Sequence, residues 1–457
     1  MKSSKRIVCQ AVLAALSALA ASAAMAQTVP ALVGGGSSLI APSIKSEISI
    51  FPATDGTATY ASVGSGAGQT AFLNNNPALF SASGTVVHFA NSDAALSPLQ
   101  ISNYASSSLG TTSTGGGPLI QIPYIVTPIT IPLVNAPAGT GPQTTTGQAN
   151  SVALNDDDLC GIFSHKLTDW SQVTNPDNGL SYAAGPIIVF VRADGSGTTD
   201  LLTRHLAAVC TTGTGGNSNF AFTETQTFAA TEFPGGLPSN FVQATGSGGV
   251  ANDLVTLRSA IAALPAPFTN PGKVPELDQF TATGSTPLTS TMAMVGYLSP
   301  DYTNSFLATS TTAPAATNAL AVASLRNGTT DVVPTYQNAT LAIGGVTPPT
   351  GSAAADQTQW VPNAATPATG YPVSGTSQII VSQCYANHSN SPTVNASVVD
   401  FLNLHYTNAS NAAILHANGF DTVPATYQTE ITKDFLVGTR ANLNIGNATI
   451  CGSVAGR

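Results

Sequence analysis

Charge is scarce in this chain. Of its 457 residues only 8% are Asp, Glu, Lys or Arg, against roughly a quarter in an ordinary soluble protein. That excludes a coiled coil, whose apolar seam is flanked by Glu- and Lys-rich positions. Basic residues are the scarcer sign, 13 against 22 acidic, for a net charge of −9. No basic run stands outside the first six residues, so the footprint of a nucleic-acid-binding protein is missing. The six histidines show no HxxxH spacing, and neither a metal nor a cofactor is expected. Past the N-terminal segment, no stretch reaches the ~20 apolar residues of a membrane span. Hydrophobic residues still make up 43%, which excludes wholesale disorder and permits sizeable cores. The length suits two or three domains of roughly 150 residues.

The first segment reads as an export signal. Lys2, Lys5 and Arg6 are its basic start, residues 7–20 its apolar middle, and Ala24-Met25-Ala26 a small-x-small cleavage site. Cleavage after Ala26 is expected, which places the mature chain in the periplasm or outside the cell. It removes three basic and no acidic residues, moving the net charge from −9 to −12. Cys9 leaves with the signal. Cys160, Cys210, Cys384 and Cys451 remain. An even count in an exported chain favours two disulfides, with three connectivities open.

Along the chain one unit recurs: a short apolar strand, a glycine/serine turn, then a helix. Residues 29–33 read as a strand running into a loop of Gly34, Gly35 and Gly36, with a helix after Pro42. Residues 57–63 and 86–90 are further strands, and residues 120–134 a long β-branched stretch. Residues 187–191 are a buried strand, followed by an amphipathic helix through Leu201, Leu202, His205, Leu206 and Val209. Such alternation predicts an α/β fold, with helices covering mostly parallel sheets. Residues 136–150 read as a polar insertion. Residues 308–369 form a long Ala/Thr/Pro-rich stretch of loops with a few strands.

Three of the turns share one chemistry: Ser37-Ser38-Leu39, Gly64-Ser65-Gly66 and Gly195-Ser196-Gly197-Thr198. A helix N-terminus offers unpaired N–H groups and a partial positive charge. Each turn alone reads as a helix cap. Three of them at strand ends, with Arg192 beside the third, can converge on one oxyanion. Arg192 is a planar, permanently charged donor, and Asp194 is placed to hold it. Asp93 makes sense at an anion site only if the anion carries a proton. Phosphate does and sulfate does not.

Residues 34–42 (GGGSSLIAP), 63–68 (VGSGAG), 89–96 (FANSDAAL) and 191–199 (VRADGSGTT) together resemble the periplasmic phosphate-binding proteins of ABC uptake systems. The resemblance continues through residues 246–253 (GSGGVAND), 295–302 (VGYLSPDY) and 371–381 (YPVSGTSQIIV), and through the helix of residues 398–406. It implies a two-lobed type II periplasmic-binding-protein fold with the ligand cleft between lobes. Lobe I would comprise residues 27–124 and 373–457, and lobe II residues 125–372 with its Thr/Ala/Pro-rich insertions. The implied phosphate site is Ser38, Leu39, Ser65, Asp93, Arg192, Ser196, Gly197 and Thr198, with Asp194 in support. Ser38-Leu39 stands where the family commonly has Thr-Phe, which keeps a hydroxyl and a backbone donor. Keeping each bridge within one lobe pairs Cys160 with Cys210 and Cys384 with Cys451. Two disulfides and Thr-rich insertions resemble the DING branch, although its Asp-Ile-Asn-Gly start is missing here.

The resemblance implies a monomer that binds inorganic phosphate by hinge closure for uptake or scavenging, with an ABC permease as a candidate partner and no catalysis. The alternative is a secreted phosphomonoesterase on the same scaffold, with Ser38 or Ser65 as nucleophile. A third possibility is a surface protein that kept only the fold.

Overall fold

The computed structural model describes residues 28–84, 86–211, 216–262, 289–438 and 440–457. The signal segment read over residues 1–26 lies outside them.

The described strands form two main sheets. The first holds β1 (Ala31–Gly36), β2 (Thr57–Ser62), β3 (Phe89–Ser92), β4 (Leu119–Pro128), β13 (Ser374–Ser382) and β14 (Asp421–Thr422), in the order β14-β4-β13-β3-β1-β2. The second holds β5 (Pro132–Val134), β7 (Ile187–Arg192), β8 (Phe241–Ala244), β9 (Ala293–Val295) and β10 (Ala321–Val322), in the order β10-β5-β9-β7-β8. Both sheets are mixed and carry helices. β1 pairs in parallel with β2 and β3, and β7 with β8 and β9. These parallel parts contain the strand–turn–helix units. The long strands β4 and β13 run antiparallel from Leu119/Ser382 to Pro128/Ser374.

The stretch of residues 120–134 is two strands. β4 ends at Pro128 in the first sheet, and β5 begins at Pro132 in the second. Across this passage the Ile129 N–H donates to Val373 O at 2.8 Å. The chain therefore leaves the first sheet and returns to it side by side. β4 and β7 are buried along their whole length. That explains their near-continuous apolar runs, since strands covered on both faces have no solvent side to alternate with.

Gly34, Gly35 and Gly36 belong to β1 rather than to a loop. The reason is space. A Cβ on Gly34 would lie 2.2 Å from the Phe89 ring, and one on Gly35 would lie 2.6 Å from Ala61 O. The Phe89 ring packs over the strand where a side chain would stand.

Residues 308–369 carry more order than their composition suggests. β11 (Ser324–Asn327) pairs with β12 (Thr330–Val332) and with β6 (Ala153–Leu154). The helix Tyr336–Ile343 packs on β4 and β13. Both disulfides form as Cys160–Cys210 and Cys384–Cys451. The first ties the helix Asp156–Phe163 to the end of the helix Gly197–Val209. No helix among the described residues is long and apolar enough to cross a membrane.

Candidate anion-binding site

The site lies where the ends of β1, β2, β3 and β7 face one another. The helix Ala41–Ser49 follows β1, Ser65–Leu73 follows β2, Gly197–Val209 follows β7 and Gly246–Ala262 follows β8. Four helix N-termini, two from each sheet, thus point at one region. None of Ser38, Ser65, Asp93, Arg192, Ser196 and Thr198 is more than 5% exposed.

Arg192 closes β7 and is the cation of the site. Its Nε donates to Asp194 Oδ1 at 2.8 Å, and its Nη2 to Asp194 Oδ2 at 2.5 Å. This two-pronged pairing fixes the plane of the guanidinium. Nη2 also donates to Ser38 Oγ at 3.1 Å and Nη1 to Ser247 Oγ at 3.2 Å. Burial pushes the Asp194 carboxyl up. The Arg192 hydrogen bonds and charge, with the Gly246 N–H, outweigh that and leave it below the usual range. Asp194 therefore stays ionised and holds Arg192 in place.

Ser38 lies on the first sheet's side and Ser247 on the second's. The Ser247 N–H donates to Ser38 Oγ at 3.1 Å, and the two hydroxyl oxygens are also 3.1 Å apart. The Gly66 N–H donates to Gly195 O at 3.0 Å. Gly64 has φ +90°, and a Cβ there would lie 2.5 Å from Asp194 Oδ2. Glycine suits this turn for both its conformation and its clearance. The two halves of the site are thus in direct contact.

Asp93 sits just past β3. Ser37 Oγ donates to its Oδ2 at 2.8 Å and Ser65 Oγ at 3.4 Å. Its other oxygen is buried and makes no well-formed hydrogen bond, the Ser377 hydroxyl being the group beside the carboxyl, and the Thr198 hydroxyl oxygen is likewise buried without a partner. Buried polar atoms normally find partners, so the Asp93 and Thr198 oxygens are open to a polar ligand. Burial pushes the Asp93 carboxyl above its ordinary value. The hydroxyls of Ser37 and Ser377, the charge of Arg192 and the Ser65 hydroxyl pull it back without cancelling the rise.

The structure brings all the residues expected from the sequence to this region, with distinct jobs. Ser196 is a helix cap: its Oγ accepts from the Thr199 N–H at 3.2 Å, and its own N–H donates to Gln226 O at 2.9 Å. Thr199 and Asp200 both direct their N–H groups to Ser196. The N–H groups of Gly197 and Thr198 are left for a ligand, as expected at a helix start. The Leu39 N–H, expected from the resemblance to face the ligand, donates to Ser37 Oγ at 3.1 Å instead.

Sequence reading missed Ser37, Ser247, Tyr297 and Ser377. Ser247 lies in the GSGG turn, which repeats the glycine/serine signal of the other three. Tyr297 accepts the Arg192 N–H at 3.0 Å and pairs with Thr199 Oγ1 at 2.7 Å. Tyr297 and Ser377 lie inside the motifs VGYLSPDY and YPVSGTSQIIV, but nothing in either motif shows which side chain reaches the site. His88, the histidine nearest a motif, accepts the Val33 N–H on Nδ1 at 3.0 Å. Burial, then the charges of Arg457 and His388, lower it to about 4, so it is a neutral structural group. Among the described residues no cluster of His, Cys, Asp and Glu is placed to hold a metal ion.

Comparison with known proteins places the chain in a family. The family described as PBP superfamily domain matches residues 21–404. Alkaline phosphatase L of Pseudomonas aeruginosa is 34% identical over 435 residues, 95% of this chain and 96% of its own. A protein named phosphate-binding protein, from an unknown prokaryotic organism, is 34% identical over 416 residues, 87% of this chain and 93% of its own. The structure of a high-affinity periplasmic phosphate-binding protein, PfluDING, bound with phosphate at pH 8.5, superposes with a TM-score of 0.67 at 30% identity. It covers 94% of this chain and 99% of that one. The chain belongs to the PBP superfamily, among its phosphate-binding proteins.

Proposed function

We propose that the mature chain binds inorganic phosphate outside the cytoplasm, at Ser38, Leu39, Ser65, Asp93, Arg192, Ser196, Gly197 and Thr198, by closure of two lobes built on the two sheets. The boundaries expected from the sequence, residues 27–124 with 373–457 and residues 125–372, serve as the working division.

The observation that carries this reading is Asp93. A buried carboxyl, one oxygen of which makes no well-formed hydrogen bond within the protein, stands among hydroxyl, N–H and guanidinium donors. An anion without a proton meets that oxygen as a like charge. Phosphate brings a proton and turns the same oxygen into a hydrogen-bond acceptor. A buried polar group left unpaired discriminates strongly against the wrong ligand. Arg192 and the helix N–H groups supply the attraction in a desolvated setting, where neutral dipoles count for more than in water. The net negative chain therefore does not prevent anion binding, because the attraction is local. Isothermal titration tests this: phosphate binds one-to-one with release of heat. Absence of a phosphate signal refutes it.

A second reading is hydrolysis of phosphomonoesters, favoured by the name that the Pseudomonas aeruginosa relatives carry. The same arginine would hold the ester, and an adjacent serine would need a base to activate it. Turnover of an aryl phosphate by the purified protein, lost in Arg192→Ala, is the result that puts this reading first. Delivery to an ABC permease is the transport role this binding would serve.

A further inference from the structure

We propose that Gln226 is a latch that holds the closed site shut and sets the rate of phosphate release without touching the ligand. The inference rests on the phosphate-binding reading.

Gln226 belongs to the second-sheet side. Its backbone O accepts the Ser196 N–H at 2.9 Å. Its neighbour Thr225 is stapled to the helix Gly197–Val209: the Thr225 N–H donates to Thr203 Oγ1 at 3.0 Å, and that hydroxyl lies 3.1 Å from Thr225 O. The position of Gln226 is therefore fixed relative to the turn carrying Gly197 and Thr198. Its side chain crosses to the other side, where Nε2 donates to Gln69 Oε1 at 3.2 Å. Gln69 lies in the helix Ser65–Leu73 and is 2% exposed. Its Nε2 donates to Ser92 Oγ at 2.9 Å and to Ala94 O at 2.8 Å. Those residues flank Asp93.

A continuous chain of neutral hydrogen bonds thus runs from Ser196 through Gln226 and Gln69 to the turn that holds Asp93. It joins the two halves beside the site and contains none of the atoms left open for the ligand. Gln100 adds a second donor to Gln69 Oε1 at 3.1 Å, so Gln69 keeps its orientation when Gln226 lets go. The chain carries no charge and presents nothing to an incoming anion. It exists only when the halves meet. Such a contact is absent from the open state that captures the ligand and present in the closed state that retains it, so it acts on dissociation.

The prediction is read by stopped-flow kinetics of phosphate binding on the full mature chain. Loss of one such bond, worth about 0.5–1.5 kcal/mol, raises koff by about 2- to 13-fold in Gln226→Ala, with kon unchanged. Gln226→Asn, one methylene too short to reach Gln69 while keeping the amide, shows the same rise and guards against a folding defect in the alanine variant. Preference for phosphate over sulfate stays as in the wild type. A koff unchanged in both variants overturns the latch while leaving phosphate binding intact. A kon that falls as koff rises also overturns it, because Gln226 would then act on capture. A wild type that gives no phosphate signal overturns the binding reading and the latch together.

Discussion

Gly197 and Asp93 meet across the seam between the two sheets. A Cβ on Gly197 would lie 2.5 Å from the Asp93 Cβ, 2.5 Å from Ser65 Oγ and 2.7 Å from the Ala94 N. Gly197 opens its helix without a positive φ. Alanine is therefore acceptable to the local backbone and unacceptable to the closed site. Gly197→Ala weakens phosphate binding by about 100-fold, the upper end of an overpacking cost of ~3 kcal/mol, and leaves the thermal midpoint of the ligand-free protein nearly unchanged. Titration calorimetry with differential scanning calorimetry separates the two effects.

Arg192→Lys keeps the charge and loses the fork. Arg192 reaches Asp194, Ser38 and Ser247 at once, and an ammonium cannot reproduce that plane. Phosphate affinity falls by about 10- to 100-fold, in line with ~1.5–3 kcal/mol for charge-assisted bonds. Equal affinity in the lysine variant, measured by titration, means that only the charge matters.

Asp158 gives the apo protein a pH dependence. It sits in the capping box of the helix Asp156–Phe163, accepting the Asn155 N–H at 3.0 Å. Burial pushes its carboxyl up to about 7, against the pull of the Asn155 and Thr174 N–H groups. The folded state keeps this proton to higher pH than the unfolded chain, whose Asp titrates near ~3.9. The stabilising share is complete below about pH 4 and is lost as pH rises toward 7. Asp253 and Asp331, each pushed up to about 6, act in the same direction. His88, held at about 4, acts the other way below pH 6.5, so the Asp158 share is read as the difference between wild type and Asp158→Asn: the wild-type thermal midpoint loses more than the variant's from pH 5 to pH 8. A difference between wild type and Asp158→Asn that does not change from pH 5 to pH 8 contradicts the assignment.

The Cys160–Cys210 bridge closes a loop of 50 residues. In the chain-entropy picture its loss costs roughly 4 kcal/mol. Both cysteines are fully buried and away from the anion site. The double variant Cys160→Ser/Cys210→Ser lowers the urea midpoint and keeps the phosphate affinity.

The strand–turn–helix units were legible because each is local: apolar strand, glycine turn and helix cap fall within some fifteen residues of one another. Site residues sitting on those turns, such as Ser38, Ser65 and Thr198, were legible for the same reason. Ser37 was passed over beside Ser38, since only the fold shows which hydroxyl faces Asp93. Gln226 had no local mark, and Ser377 lay in a recognised motif that did not show its side chain reaching the site. Gln226 pairs with Gln69, 157 residues away, and Ser377 stands beside Asp93 only because β13 pairs with β3. The glycine run of β1 was misread as a loop, because the groups that require those glycines, the Phe89 ring at Gly34, Ala61 O at Gly35 and Asn91 O at Gly36, come from elsewhere in the chain. Residues 308–369 looked loop-like because their short strands depend on β6, far back in the chain.

The central claim is that Asp93 admits an anion that brings a proton. Its direct test is a phosphate and sulfate titration of wild type and Asp93→Asn at pH 5 and pH 8. At pH 8 the wild type binds phosphate and excludes sulfate. At pH 5 sulfate competes better, because the raised Asp93 carboxyl is more often neutral there and can donate. Asp93→Asn admits sulfate at both values and loses most of the pH effect. Sulfate exclusion that persists in Asp93→Asn, or that strengthens in the wild type as pH falls, contradicts the claim.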